Sequence, residues 1–143
     1  MNPVVHFEMP FDNQVRMAKF YESVLGWQLR MLGEDMGDYV LATTAESNES
    51  GPINPGAING GFYPRNPDAQ YPSVVIGVGD IRQSAKGVIA AGGKVLGEPM
   101  EIPGVGQYVS YHRYRGQPLE HASAQSAQIA CAKERRTSWL SSL

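Results

Sequence analysis

The chain writes one pattern twice, and that duplication limits what it can fold into more than any other feature. Residues 4–30 read as an apolar strand (Val4–Met9), a cap at Asp12 or Asn13, an amphipathic helix closed by Leu25–Gly26, and a second strand. Residues 73–97 repeat the order: Val74–Val78, a cap at Asp80, a helix closed by Ala91-Gly92-Gly93, then Lys94–Leu96. Laying Lys19 on Lys86 brings Gly26 opposite Gly93 and His6 opposite Ser73, with the caps slipping by one residue. A repeat of this length makes each copy a supersecondary unit that buries its apolar face against the sheet it builds.

Alternation within the first strand sets Val5, Phe7 and Met9 on one face, and Val4, His6 and Glu8 on the other. The first set is apolar and should meet the helix, so His6 and Glu8 look to the opposite side of the sheet. Met17, Ala18, Tyr21, Val24 and Leu25 follow helical spacing, and Gly26 supplies a left-handed stop. Trp27–Leu32 and Asp38–Thr44 read as a hairpin around Gly33–Gly37, Ala45–Gly56 as a loop, and Ala57–Tyr63 as a strand. The paired Gly60 and Gly61 in that strand signal a bulge or a close approach by backbone or ligand. Pro64–Pro72 links the copies. In the second copy Ile81, Ala85, Val88 and Ile89 should point inward from a helix over 81–91, and Gln107–Tyr111 reads as a strand. Each copy is βαβββ in outline, although the second lacks a convincing last strand.

Composition narrows the function classes. Apolar residues make up 42% of 143, enough for one packed domain, and the longest apolar runs fall short of the roughly 20 residues of a membrane span. No basic flank followed by an apolar core opens the chain, so no signal peptide is expected. A lone cysteine, Cys131, excludes an internal disulfide and suits a reducing cytoplasm. A net charge of −2 argues against a nucleic-acid surface. Neither Gly104-Val-Gly nor Gly56 to Gly61 sits between a strand and a helix start, so neither makes a phosphate loop.

The helix end Phe20-Tyr-Glu-Ser-Val-Leu-Gly-Trp27 resembles the vicinal oxygen chelate superfamily of glyoxalases, bleomycin-resistance proteins and extradiol dioxygenases. His6, Asp12 and Ala18, the Ile58-Asn-Gly-Gly-Phe62 strand, Ala90-Ala-Gly-Gly-Lys94 and Ile102-Pro-Gly-Val-Gly-Gln-Tyr108 extend the resemblance over about residues 3–110. It implies an α+β fold in which two tandem βαβββ modules form curled mixed sheets around a cavity, commonly as a homodimer. The modules would be 1–65 and 66–111, the second reading as βαββ, with an atypical and partly helical tail over 112–143.

Metal enzymes of that superfamily carry ligands on the first and last strand of each module. His6 matches the first such position, Ser73 stands at its equivalent, and Asn59–Gly61 fills the region where an acidic ligand would be expected. A divalent ion held by imidazole and carboxylates needs about three protein ligands. With His6 the only matching ligand, no resident metal or other cofactor is expected. The cavity candidates are His6, Glu8, Trp27, Tyr39, Asn59, Ser73 and Tyr108, of which His6 and Glu8 are the candidates for acid–base work. The resemblance therefore implies a small organic ligand bound without metal. A divalent-metal-dependent lyase or dioxygenase using His6 is the alternative, and a folded but inactive variant is the third reading.

That third reading rests on the tail. Relatives continue after Gly104-Val-Gly-Gln-Tyr-Val-Ser110 with Asp-x-Glu-Gly-Asn and a closing Leu-x-Gln, their final cavity strand. Here the chain runs Tyr111-His-Arg-Tyr-Arg-Gly-Gln-Pro-Leu-Glu-His-Ala-Ser-Ala124. Codons permitted for this peptide, read one base later, yield Asp-Thr-Glu-Gly-Asn and then Leu-Ser-Met-Leu-Gln. The expectation is a frameshift near codon 111. Gln117–Ala122 could stand in for the lost strand, a helix over Ala124–Leu140 could cover the edge, or Trp139, Leu140 and Leu143 could dock on a partner chain.

Overall fold

The computed structural model describes residues 1–102 and 106–113, together with the backbone of 118–122. Module 1 runs β1 (Val4–Phe11), α1 (Gln14–Leu25), β2 (Gln28–Met31), β3 (Val40–Thr43) and, after a two-residue hairpin of β4 (Ser47–Asn48) and β5 (Gly51–Pro52), β6 (Gly60–Pro64). Module 2 repeats the order with β7 (Ser73–Ile76), α2 (Ile81–Ala90), β8 (Lys94–Ile102), β9 (Gly106–His112) and β10 (Pro118–Ala122). Five strands form one sheet in the order β2-β3-β6-β1-β7, and three form another in the order β10-β9-β8. β10 runs alongside β7, so the sheets meet at the seam between them.

The segment expected to leave module 2 without its last strand thus supplies one. Pro118–Ala122 pairs antiparallel with β9, Glu120 opposite Ser110, inside the Gln117–Ala122 stretch that could stand in. The expected helix over 124–140 and the docking of Trp139, Leu140 and Leu143 lie outside the described residues.

The helix ends follow from their capping residues. Asn13 caps α1, its side chain accepting from the Arg16 N–H at 2.8 Å, and Gly26 ends the helix in the left-handed region at φ 67°. Asp80 caps α2 by accepting from the Gln83 N–H at 2.9 Å. Asp12, the other candidate cap, instead accepts from Arg65 Nε at 2.7 Å. That hydrogen bond, with the charge of Arg65 behind it, lowers the carboxyl pKa below its ordinary value. Arg65 also donates its backbone N–H to Phe11 at 2.8 Å, fastening the start of the linker to the end of β1.

The core of module 1 lies between α1 and the sheet. Phe11, Val40, Ala42 and Phe62 are buried there, with Phe7, Met9, Met17, Tyr21, Trp27 and Leu29 packed against them. Phe62 is 1% exposed, a burial worth roughly 1.5–3 kcal/mol before entropy is counted. A second cluster joins Val78, Ile81 and Val109 to Ile76 and Val95 beneath α2. Val74 pairs with Phe7 in register and shares a face with Ile76, so both helices cover the same side of the sheets.

Several expected core positions lie outside. Val24 and Leu25 in the last turn of α1 are 61% and 52% exposed, and Ile89 of α2 is 60% exposed. Only part of each apolar stripe reaches the sheet, because the two helices contact it mainly through Ala18, Met17, Tyr21 and Ile81.

Candidate functional site

The side of the sheet facing away from the helices carries the polar residues. His6 is 2% exposed, Ser73 is also buried, and Glu8 and Tyr39 are half-buried. Glu8 and Ser73 are Cα partners across β1 and β7, as His6 and Val75 are, so strand alternation sets all four on one face. Tyr39, just before β3, reaches across β6 to β1. His6 Nε2 lies 2.9 Å from the Tyr39 hydroxyl, which donates to Glu8 Oε1 at 3.2 Å.

The phenol thus donates to the carboxylate, and its oxygen can accept from His6 when Nε2 carries the ring hydrogen. The three side chains form one hydrogen-bonded relay lying across three strands.

Gly61 makes the reach possible. A Cβ at that position would run into the Tyr39 hydroxyl and two of its ring carbons, so only glycine lets the phenol cross β6. Gly60 does the same on the other face, where a Cβ would strike the Phe7 ring. The close approach expected from the paired glycines is made by two side chains of the chain itself, one on each face of the strand.

The structure sets the seven candidate residues in several places. His6, Glu8, Tyr39 and Ser73 share the face of the sheet turned away from the helices. Trp27 is on the helix side, stacked on Tyr21 with ring centroids 4.9 Å apart and 5.6 Å from Phe7. There it helps line a mainly apolar hollow of about 510 Å³ with Phe7, Met9, Ile58 and Val74, and Ser73 at the start of β7 borders the same hollow. Asn59 is buried, but its amide braces a loop, accepting from the Thr44 N–H at 2.9 Å and donating to Ser47 Oγ at 2.9 Å. Tyr108 sits on β9, its hydroxyl 3.3 Å from Ser110 Oγ, on the face away from Val109 and α2.

One residue missed in the sequence belongs on the same face. Arg30 pairs with Leu41 across β2 and β3, while Leu29 pairs with core residue Ala42. Alternation therefore sends Arg30 to the side away from the helices, at the edge of the sheet. The signal was available in the parity of Leu29 and Arg30, once Leu29 is placed in the core.

The residues fit a metal poorly. Among the described residues, no three His, Cys, Asp or Glu side chains gather closely enough to hold an ion. His6 Nε2, the atom that would ligate, is engaged by the Tyr39 hydroxyl at 2.9 Å.

Paired βαβββ units whose helices share one side and whose polar residues share the other define a vicinal-oxygen-chelate fold. The chain belongs to the Glyoxalase/Bleomycin resistance protein/Dioxygenase superfamily, whose family model matches residues 4–111. Its structure is similar to methylmalonyl-CoA epimerase in complex with methylmalonyl-CoA and NH4+, with a TM-score of 0.63 at 15% identity over 90% of this chain and 98% of that one. A hypothetical protein from Bacillus halodurans C-125 aligns with a TM-score of 0.60 at 17% identity, over 85% of this chain and 94% of that one. Methylmalonyl-CoA epimerase from Mycobacterium tuberculosis gives 0.58 at 14%, over 83% and 85%. No curated protein matches the sequence. At these identities the likeness establishes the fold alone.

Proposed function

We propose that this chain binds a small organic molecule on its concave face and does so without a resident metal ion. The carrying observation is the relay of His6, Tyr39 and Glu8, which commits the one histidine at a family ligand position to hydrogen bonding. A buried imidazole, a phenol and a carboxylate within hydrogen-bond reach of one another make a polar cluster on this face, with Arg30 on the same side at the edge of the sheet. Ser73 and Tyr108 are proposed to extend this surface. A homodimer in the cytoplasm completes the reading, since the exposed Phe20, Val24 and Leu25 side chains of α1 are apolar surface that a second copy would cover.

The test is thermal stabilisation of purified protein over a panel of aromatic, cationic, thiol-conjugate and acyl-CoA compounds. At least one compound should raise the midpoint in wild type and lose most of its effect in His6→Gln and Glu8→Gln. Stabilisation by a compound that survives both substitutions would move the site elsewhere, the hollow beside Trp27 first. If divalent ions alone stabilise wild type and His6→Gln abolishes it, the metal-dependent lyase or dioxygenase reading replaces this one.

The atypical tail supports a second reading, a folded variant produced by a frameshift near codon 111 that retains no activity. Sequencing the gene beside those of near relatives checks it. Relatives carrying Asp-x-Glu-Gly-Asn in the shifted frame would support the frameshift, whereas a relative sharing the His112–Leu143 peptide in frame would refute it.

A further inference from the structure

The phenol of Tyr39 does more than join two polar side chains. Its oxygen lies 2.9 Å from the His6 nitrogen and 3.2 Å from the Glu8 carboxylate oxygen, between the only two side chains of β1 that could ligate on this face. A first-row divalent ion held by His6 Nε2 would sit about 2.0–2.2 Å from that nitrogen on its outer side, where the phenol oxygen already lies at 2.9 Å, so ion and phenol oxygen compete for the same space. We infer that Tyr39 is the residue that keeps this site free of metal, by occupying the position an ion would take beside His6 Nε2 and by engaging that nitrogen in a hydrogen bond. The inference rests on the metal-free reading above and adds the group responsible for it.

Two further observations carry the argument. Gly61 has no side chain where one would force the phenol away, so the strand beneath is built for this placement. The Tyr39 hydroxyl is bonded to both His6 and Glu8, so an ion must displace a held phenol and break both hydrogen bonds. It would gain His6 and Glu8 from β1, and among the described residues no third His, Cys, Asp or Glu stands close enough to complete the three ligands usual for a divalent ion in competition with water.

Exchanging the phenol for a ligand should reverse the exclusion. Tyr39→His puts a shorter ring at the same position, leaving room for an ion between it and His6, and gives two imidazoles and one carboxylate. That donor set suits zinc, nickel or iron(II). Metal-stripped wild type, Tyr39→His, and Tyr39→His combined with His6→Gln would be titrated with Zn2+ and Ni2+ by calorimetry, with metal content measured after desalting. The expected result is no site in wild type, one ion per subunit in Tyr39→His bound at least a hundredfold more tightly than to wild type, and loss of that ion in the double variant. Binding of one ion per subunit by wild type through His6 would overturn the metal-free reading and this inference with it. A folded Tyr39→His with no gain over wild type would overturn the inference alone. Should Tyr39→His not fold, Tyr39→Phe titrated with Cu2+, the strongest binder of the series, serves instead. A site of at least tenfold higher affinity than in wild type and dependent on His6 supports the exclusion, and no gain refutes it.

Discussion

Replacing Gly61 with alanine is the sharpest probe of how the concave face is assembled. The added Cβ would meet the Tyr39 hydroxyl and ring carbons Cε1 and Cζ, none of which can be avoided by a small shift. Over-packing a fitted contact costs about 1–3 kcal/mol. Driving the phenol off its partners also breaks the bonds to His6 and Glu8, at about 1 kcal/mol each. The sum is about 3–5 kcal/mol, or roughly 10–15 °C in the thermal midpoint at about 3 °C per kcal/mol for a chain of this size. Because the ring collides as well as the hydroxyl, Tyr39→Phe should not rescue the variant, while Tyr39→Ala should. In the Tyr39→Ala background Gly61→Ala should be neutral or slightly stabilising, since alanine reduces the freedom of the unfolded chain. Denaturant unfolding of the four proteins closes a double-mutant cycle, with an expected coupling of about 3 kcal/mol. Additivity within about 0.5 kcal/mol would refute the claim that Gly61 exists to pass the Tyr39 phenol.

Three other perturbations test separate parts of the account. Phe62→Ala, at the centre of the aromatic cluster, should cost about 3–5 kcal/mol by chemical denaturation, and a cost under about 1 kcal/mol would mean that the cluster is not the core of module 1. Asn59→Ala leaves the Thr44 N–H without its acceptor and should cost about 1–3 kcal/mol while leaving the His6 site intact, so ligand-induced stabilisation should survive. For Asp12 the folded pKa is depressed by Arg65, so its contribution to stability is present above the ordinary carboxyl value of 3.8 and is lost as pH falls through the lowered folded value. Asp12→Asn should therefore lower stability slightly at neutral pH, converge with wild type in acid and so flatten the acid limb of the stability profile, and an unchanged acid limb would contradict the pairing.

Local chemistry made much of the fold legible. Asp80, Asn13 and Gly26 mark helix ends because capping is decided within a few residues, and the Phe7 and His6 faces of β1 follow from a period of two. The paired glycines signalled a close approach, but that the Phe7 ring and the Tyr39 phenol make it depends on which strands flank β6, which is a long-range matter. Val24, Leu25 and Ile89 were expected inside because periodicity gives the direction of an apolar stripe but not how much of it the sheet covers. Trp27, a cavity candidate from strand alternation and the family resemblance, shares the parity of Leu29 and lies with it on the helix side, stacked on Tyr21. Asn59 braces a loop through Thr44 and Ser47, a role that a polar residue in a strand region does not reveal by its position in the sequence. β10 falls within Gln117–Ala122, the stretch that the sequence offers as a stand-in for the last strand, and backbone pairing with β9 defines it.

The central claim is that the concave face binds its ligand through side chains and not through an ion. The most direct measurement is the thermal shift given by the best ligand, recorded on chelator-treated protein and again with one equivalent of a divalent ion restored. The account predicts the same shift in both samples, and its loss in His6→Gln. A shift that appears only when the ion is present would contradict it.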